Sequence, residues 1–283
     1  VATKLSTTVG VKWLRNLITS GAAGANIASL TEGVRYLRAT TGWTNTMTAY
    51  VARVIADGAV GYWRLDEAAG TNANDSSGLS ADGTYTGGYT LNQAGVLPVS
   101  KATQFDGVDA TDVEIPNHAA LAAINGTQAI TIEAWVKPTS LVGLGAFDIF
   151  FGFPGELGSY MALLNPSGFV NFAFELVIGG VQREASTGVA YAPLITTTRW
   201  HHVVGTYDGA NQRLYVDGVI QSVNPQTGNL TIGAGGIRLG AWGAGTLAYP
   251  GYMQEAAIYP TALTAEQISN HYKVGIGTIP FVG

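Results

Sequence analysis

Cysteine is missing from this 283-residue chain, which excludes disulfides and thiolate metal sites. Charge is scarce too, with Asp, Glu, Lys and Arg together making up 12% of the residues. No run of about 18 uninterrupted apolar residues occurs, so no helical membrane span is expected. A basic leader followed by an apolar stretch is also lacking, and the expectation is a soluble chain without a cleavable export signal. Disorder does not explain the low charge, because disordered chains are charged and poor in aromatics. This one holds six Trp, thirteen Tyr and nine Phe.

Glycine is plentiful, at 38 residues, and much of it sits in turn signals: Asp82-Gly83, Asp106-Gly107, Asn125-Gly126, Asp208-Gly209 and Asp217-Gly218. Such pairs supply the positive φ angles of tight hairpins. Between them lie apolar runs of strand length. Predicted strands run from Gly61 to Leu65, Asp112 to Ile115, Ile130 to Val136, Phe147 to Phe151, Tyr160 to Leu164 and Val170 to Ile178. Others run from Trp200 to Tyr207, Gln212 to Val216, Val219 to Val223, Leu230 to Ile232, Ile237 to Leu239 and Gln254 to Tyr259. Ile130, Ile132, Ala134 and Val136 face one way, and Thr131, Glu133, Trp135 and Lys137 the other. Many short strands without a βαβ rhythm predict an all-β fold of two packed antiparallel sheets. The chain then closes on a short strand, a stop at Pro260 and a helical turn capped by Thr264; this unit is expected to pair with the segment around Tyr62.

The first 58 residues are composed differently. They carry six basic and two acidic residues, a net +4, against −9 for the remainder. Residues 1–13 alternate with a period of two, as an extended arm would, and Tyr50, Val51, Val54 and Ile55 form a helical face between Thr48 and Gly58. The expected division is an N-terminal docking segment at 1–58 with a short linker helix near 48–57, a β-sandwich at 59–275 and a tail at 276–283. The basic residues Lys4, Lys12, Arg15, Arg35 and Arg38 are expected to meet acidic patches on a larger assembly.

Several segments in fixed order carry a family resemblance. They are Gly61-Tyr62-Trp63-Arg64-Leu65-Asp66-Glu67, Asp75-Ser76-Ser77-Gly78, Phe105-Asp106-Gly107, the run from Ile130 to Pro138, Arg199-Trp200-His201-His202-Val203, Leu214-Tyr215-Val216-Asp217-Gly218 and the closing unit. Together, from about Ala59 to Lys273, they resemble a laminin-G-like, concanavalin A-like jelly roll. The lead-in from Tyr50 to Asp57, running into Gly61 to Leu65, is similar to what precedes such domains in bacteriophage structural proteins. That likeness implies a virion component on the particle surface, in the head or tail, with other virion proteins and copies of itself as partners.

Candidate sites follow. Asp106, Asp109 and Asp112 lie at three-residue spacing around a glycine turn, and hard oxygen ligands suit calcium. The resemblance implies a structural calcium held by Asp106 and Glu255, with Gln254 where the family commonly has Asp; plain turn aspartates are the other reading. For carbohydrate, Trp242, Tyr249 and Tyr252 in a glycine-rich stretch are candidates to stack on sugar rings, with Phe151, Phe153 and Tyr160 as a second patch. The Glu-x-Asp-x-Glu triplet of laminarinase-like glycosidases on this fold is absent, Glu133 has no acidic partner on its strand face, and no enzyme is expected. His201 and His202 are neighbours on a strand and point to opposite faces, so they cannot share a metal; His118 and His271 stand alone. Nucleic-acid binding is not expected of an acidic body without a basic aromatic strip. The function expected is a non-catalytic virion structural protein, docked by its N-terminal segment and displaying a lectin-like sandwich to host-surface glycans. The alternative is an extracellular carbohydrate-binding or adhesion module of a bacterial protein.

Overall fold

The computed structural model describes residues 49–96, 100–141, 147–154, 158–164, 169–188, 194–233, 235–243 and 246–277. The docking residues Lys4, Lys12, Arg15, Arg35 and Arg38 lie outside them. Among the described residues two eight-stranded sheets form, and every strand pairing is antiparallel. The first runs in the order β14 (Val219–Pro225), β13 (Asn211–Val216), β12 (His201–Tyr207), β7 (Ile130–Pro138), β16 (Pro250–Tyr259), β5 (Lys101–Asp106) and β4 (Tyr89–Ala94), with β1 (Gly61–Trp63) also on β16. The second runs β11 (Val181–Ser186), β10 (Asn171–Ile178), β9 (Ser159–Leu164), β8 (Phe147–Phe153), β15 (Ile237–Leu239), β6 (Asp112–Ile115), β3 (Gly83–Thr86) and β2 (Asn72–Ala73). No helix among the described residues is long and apolar enough to cross a membrane.

Alternation builds the core. Ile130, Ile132, Ala134 and Val136 of β7 face Phe150, Phe172, Phe174 and Leu176 of the second sheet, and all are buried. The pairing of β1 with β16 brings Tyr62 opposite Ala257, so the two ends of the sandwich meet as the sequence suggests. Five strands are not anticipated by their apolar pattern: β2, β3, β4, β5 and β11. The polar ones, such as β4 and β11, lie at sheet edges and bury one residue or none. Leu230 to Ile232 is no strand; Leu230 makes a single bridge to Ile178.

A helical layer covers the outer face of the first sheet. Helix α1 spans residues 49–56 and α3 spans Ala265–Gly275, while the short α2 (Ala119–Ala122) lies elsewhere in the chain, its N-terminus capped by His118. Thr264 and Gln267 form a reciprocal capping box that starts α3. Tyr50 and Val54 of α1, one turn apart, pack with Ile268 and Val274 of α3 on Trp135, Val204, Tyr215 and Tyr259. The helix expected as a linker is therefore part of the sandwich. Ile55, expected on its buried face, is 39% exposed.

Beneath the helices lies a polar network. Glu133 of β7, fully buried, accepts from Tyr259 Oη at 2.6 Å and sits 3.1 Å from His202 Nε2 and 3.0 Å from His271 Nδ1. The other nitrogen of His271 lies 2.8 Å from Asp57, just past α1. Burial alone would raise the Glu133 carboxyl; the His271 charge and the bonds from both histidines outweigh it and hold it well below the carboxylate range. Burial alone would lower His271, and the Glu133 charge reverses that, pushing it up to about 9. His271 and Glu133, which look isolated in sequence, are thus partners.

Candidate functional site

The outer face of the second sheet is set by the same period of two. In β10, Phe172, Phe174, Leu176 and Ile178 point into the core, which turns Ala173 and Glu175 outward. In β9, Met161 and Leu163 point inward and Tyr160, Ala162 and Leu164 outward. Register then lines up Gly152, Tyr160, Glu175 and Glu184 in one row across β8, β9, β10 and β11. Along this row opens a cleft of about 300 Å³, lined by Phe147, Ile149, Gly158, Tyr160, Glu175, Gln182, Trp242 and Leu247.

Trp242 forms one wall because two glycines make room for it. A Cβ on Gly152 would lie 3.1 Å from indole Cδ1, and one on Gly158 would lie 3.1 Å from Cζ2. A side chain at either position would make the indole shift by a few tenths of an ångström. Its backbone is pinned by a pair of 2.8 Å hydrogen bonds with Thr246. The indole N–H is buried and has no hydrogen-bond partner among the described residues. Phe147 and Tyr160 meet edge to face at 6.0 Å beside it.

The polar groups of the cleft converge on Glu175. Tyr160 Oη donates to one carboxylate oxygen at 3.0 Å, and Gln182 Nε2 donates to the other at 2.8 Å. Glu184 stands directly across the strand pair. Burial, with repulsion from Glu184, raises the Glu175 carboxyl above its ordinary range despite the hydrogen bonds. Burial, and then Glu175, raise the Tyr160 phenol. An aromatic wall beside a row of carboxylates and an amide offers stacking to the C–H face of a sugar and acceptors to its hydroxyls.

The residues singled out from sequence scatter. Trp242 and Tyr160 come together in the cleft. Tyr249 is fully buried, its ring against Phe150 at 5.8 Å, and cannot stack on a ligand. Tyr252 lies on the other sheet, opposite Lys137. Phe151 and Phe153 are core residues. Asp106 pairs with Pro250, five residues before Glu255 on β16, which separates the two by on the order of 16 Å at strand spacing. A register shift between Gln254 and Ala257 turns Glu255 toward β1, where it accepts from Tyr62 Oη and lies 3.8 Å from Arg64. These two acids cannot share one calcium, and among the described residues no group of three His, Cys, Asp or Glu could hold a metal. Asp112 is engaged by Arg238 at 2.5 Å. Glu175, Glu184, Gln182 and Phe147 escape sequence reasoning. The available signal was Glu175 itself, a lone acid inside the apolar run from Phe172 to Ile178.

The family model described as the concanavalin A-like lectin/glucanases superfamily matches residues 105–269, from the end of β5 into α3. No curated protein matches the chain. Among solved structures, domain 4 of AbnA, a GH43 extracellular arabinanase from Geobacillus stearothermophilus in complex with arabinotriose, is 19% identical with a TM-score of 0.57, over 76% of this chain and 98% of that one. The binding domain of Paraclostridial Mosquitocidal Protein 1 is 14% identical, TM-score 0.60, over 77% of this chain and 52% of that one. The botulinum neurotoxin serotype D binding domain is 13% identical, TM-score 0.58, over 79% and 52%. Likeness at these identities is one of fold, and the chain spans about half of each toxin binding domain.

Proposed function

Because this chain belongs to the concanavalin A-like lectin/glucanases superfamily, we propose that it is a non-catalytic carbohydrate-binding module whose ligand lies in the cleft on the second sheet. The observation that carries the reading is the indole of Trp242, bedded on Gly152 and Gly158 beside Tyr160. A ring face held by backbone on one side is pre-organised, so stacking costs little side-chain entropy. Two carboxylates in the row favour a neutral sugar with adjacent hydroxyls over an acidic one. The arabinanase domain solved with arabinotriose supports including arabino-oligosaccharides among the ligands tried. A virion setting, expected from the lead-in residues, draws no support from the comparisons; sugar binding does not depend on it.

Glu175 and Glu184 also bear on catalysis. Retaining glycosidases place two carboxyls about 5 Å apart across the scissile bond, and directly opposed strand residues lie at about that spacing. In this cleft both oxygens of Glu175 are occupied by Tyr160 and Gln182, which favours holding a ligand over delivering a proton to one. The test is a neutral glycan array followed by calorimetric titration. Trp242→Ala is expected to weaken binding at least tenfold, about 1.4 kcal/mol, with unchanged folding. Turnover of an array sugar, abolished by Glu175→Gln, would replace binding with hydrolysis.

A further inference from the structure

The first sheet has an aromatic site of its own, at the end of its outer face. One row there holds Trp200, Lys137, Tyr252 and Gln104: Lys137 lies opposite Tyr252, Tyr252 opposite Gln104, and Trp200 just before His201, the partner of Val136. Each of these side chains is partly exposed. Lys137 Nζ sits 4.5 Å from the Tyr252 ring centre and 5.8 Å from that of Trp200. The two rings meet edge to face, 6.3 Å apart and inclined by 62°, with the ammonium beside both.

Charge sets this row apart. Arg64, Arg199, Arg213 and Arg238 each pair with an acid. Lys137, like Lys101 and Arg183, pairs with no acid among the described residues, and of these three it is the one held beside aromatic rings, in a stretch of chain whose net charge is −9. An ammonium over aromatic faces is held in place while its outward hydrogens stay free to donate.

We infer that Trp200, Lys137, Tyr252 and Gln104 form a second ligand site, on the opposite sheet from the cleft, for a sugar bearing a carboxylate. Lys137 takes the carboxylate, Trp200 or Tyr252 the sugar's apolar face, and Gln104 a hydroxyl. The two sites differ in sign: the cleft presents Glu175 and Glu184, and this row presents a cation. The inference stands on its own contacts and does not need the cleft to bind anything.

The experiment titrates the whole chain with trigalacturonic acid and with 3′-sialyllactose, beside the same sugars with their carboxyls reduced. Binding of at least one acidic sugar is expected. It should weaken at least tenfold on carboxyl reduction, and again in Lys137→Gln and in Trp200→Leu. Raised salt should weaken it as well, because the site is open to solvent. Trp242→Ala should leave it unchanged, which separates failure of this site from failure of the cleft. If a variant does not fold, the wild-type comparison of acidic and reduced sugars decides. No binding of either acid, equal binding of the reduced sugars, or binding that survives both substitutions would overturn the inference.

Discussion

Glu133 shows how single residues set the stability of this fold. It is an ionised acid under a helical lid, with His271, His202 and Tyr259 supplying its hydrogen bonds. Removing one partner of a buried charged pair costs about 3–5 kcal/mol, so His271→Gln should lower the melting temperature by on the order of 10 °C. The pH profile carries a second signature. His271 is raised from 6.5 to about 9, so its contribution is complete below pH 6.5 and lost as pH rises through 9. Glu133 is depressed, so its contribution is present above 4.5 and lost as pH falls. Glu255, raised by burial to about 7, opposes folding increasingly as pH rises from 4.5 through 7. Melting temperature should therefore peak near pH 5 and decline to pH 9, and His271→Gln should flatten the limb above 6.5. A limb unchanged in that variant would remove His271 from the account. Sequence shows why such a network is hard to foresee: Glu133 and His271 are separated by 138 positions, and each has an ordinary structural reading when taken alone.

At the scale of elements, helix α1 belongs to the folded unit. It contributes the Tyr50 hydroxyl that accepts from Trp135 Nε1 at 3.0 Å, and it leads to Asp57, which holds His271. A chain starting at residue 49 should melt well above one starting at residue 59, by 10 °C or more in a thermal scan. Equal melting of the two would mean that α1 is an appendage after all. The elements legible in sequence were those with a strong pattern on a buried face. The central strands β7, β10, β12 and β16 are legible in this way, and so is the cap of α3 at Thr264, where the pattern predicts a helical turn and the structure extends it to 11 residues. Strands β4 and β11 were not, because an edge strand with one or no core-facing residue leaves too little alternation to detect. The same limit hid the cleft, since Glu184 and Gln182 lie on β11. Tyr249 and Tyr252 were grouped with Trp242 by proximity along the chain, whereas the approach to β16 sends Tyr249 into the core and Tyr252 to the other sheet.

For the molecule as a whole, two sheets with different coverings divide the work. The first is roofed by α1 and α3 over a buried ionic network, and the second keeps its aromatic cleft open. On the proposed reading, that division puts neutral-sugar binding on the second sheet and much of the stability in the first, whose row of Trp200, Lys137, Tyr252 and Gln104 is left for an acidic sugar. The most direct measurement is the set of indole N–H resonances from the six tryptophans, followed while a neutral oligosaccharide selected on the array is added. The Trp242 resonance should move with saturation, while those of Trp63, bonded to the Ala81 carbonyl, and Trp135, bonded to Tyr50, stay in place. A saturating ligand that leaves Trp242 unmoved would contradict the account.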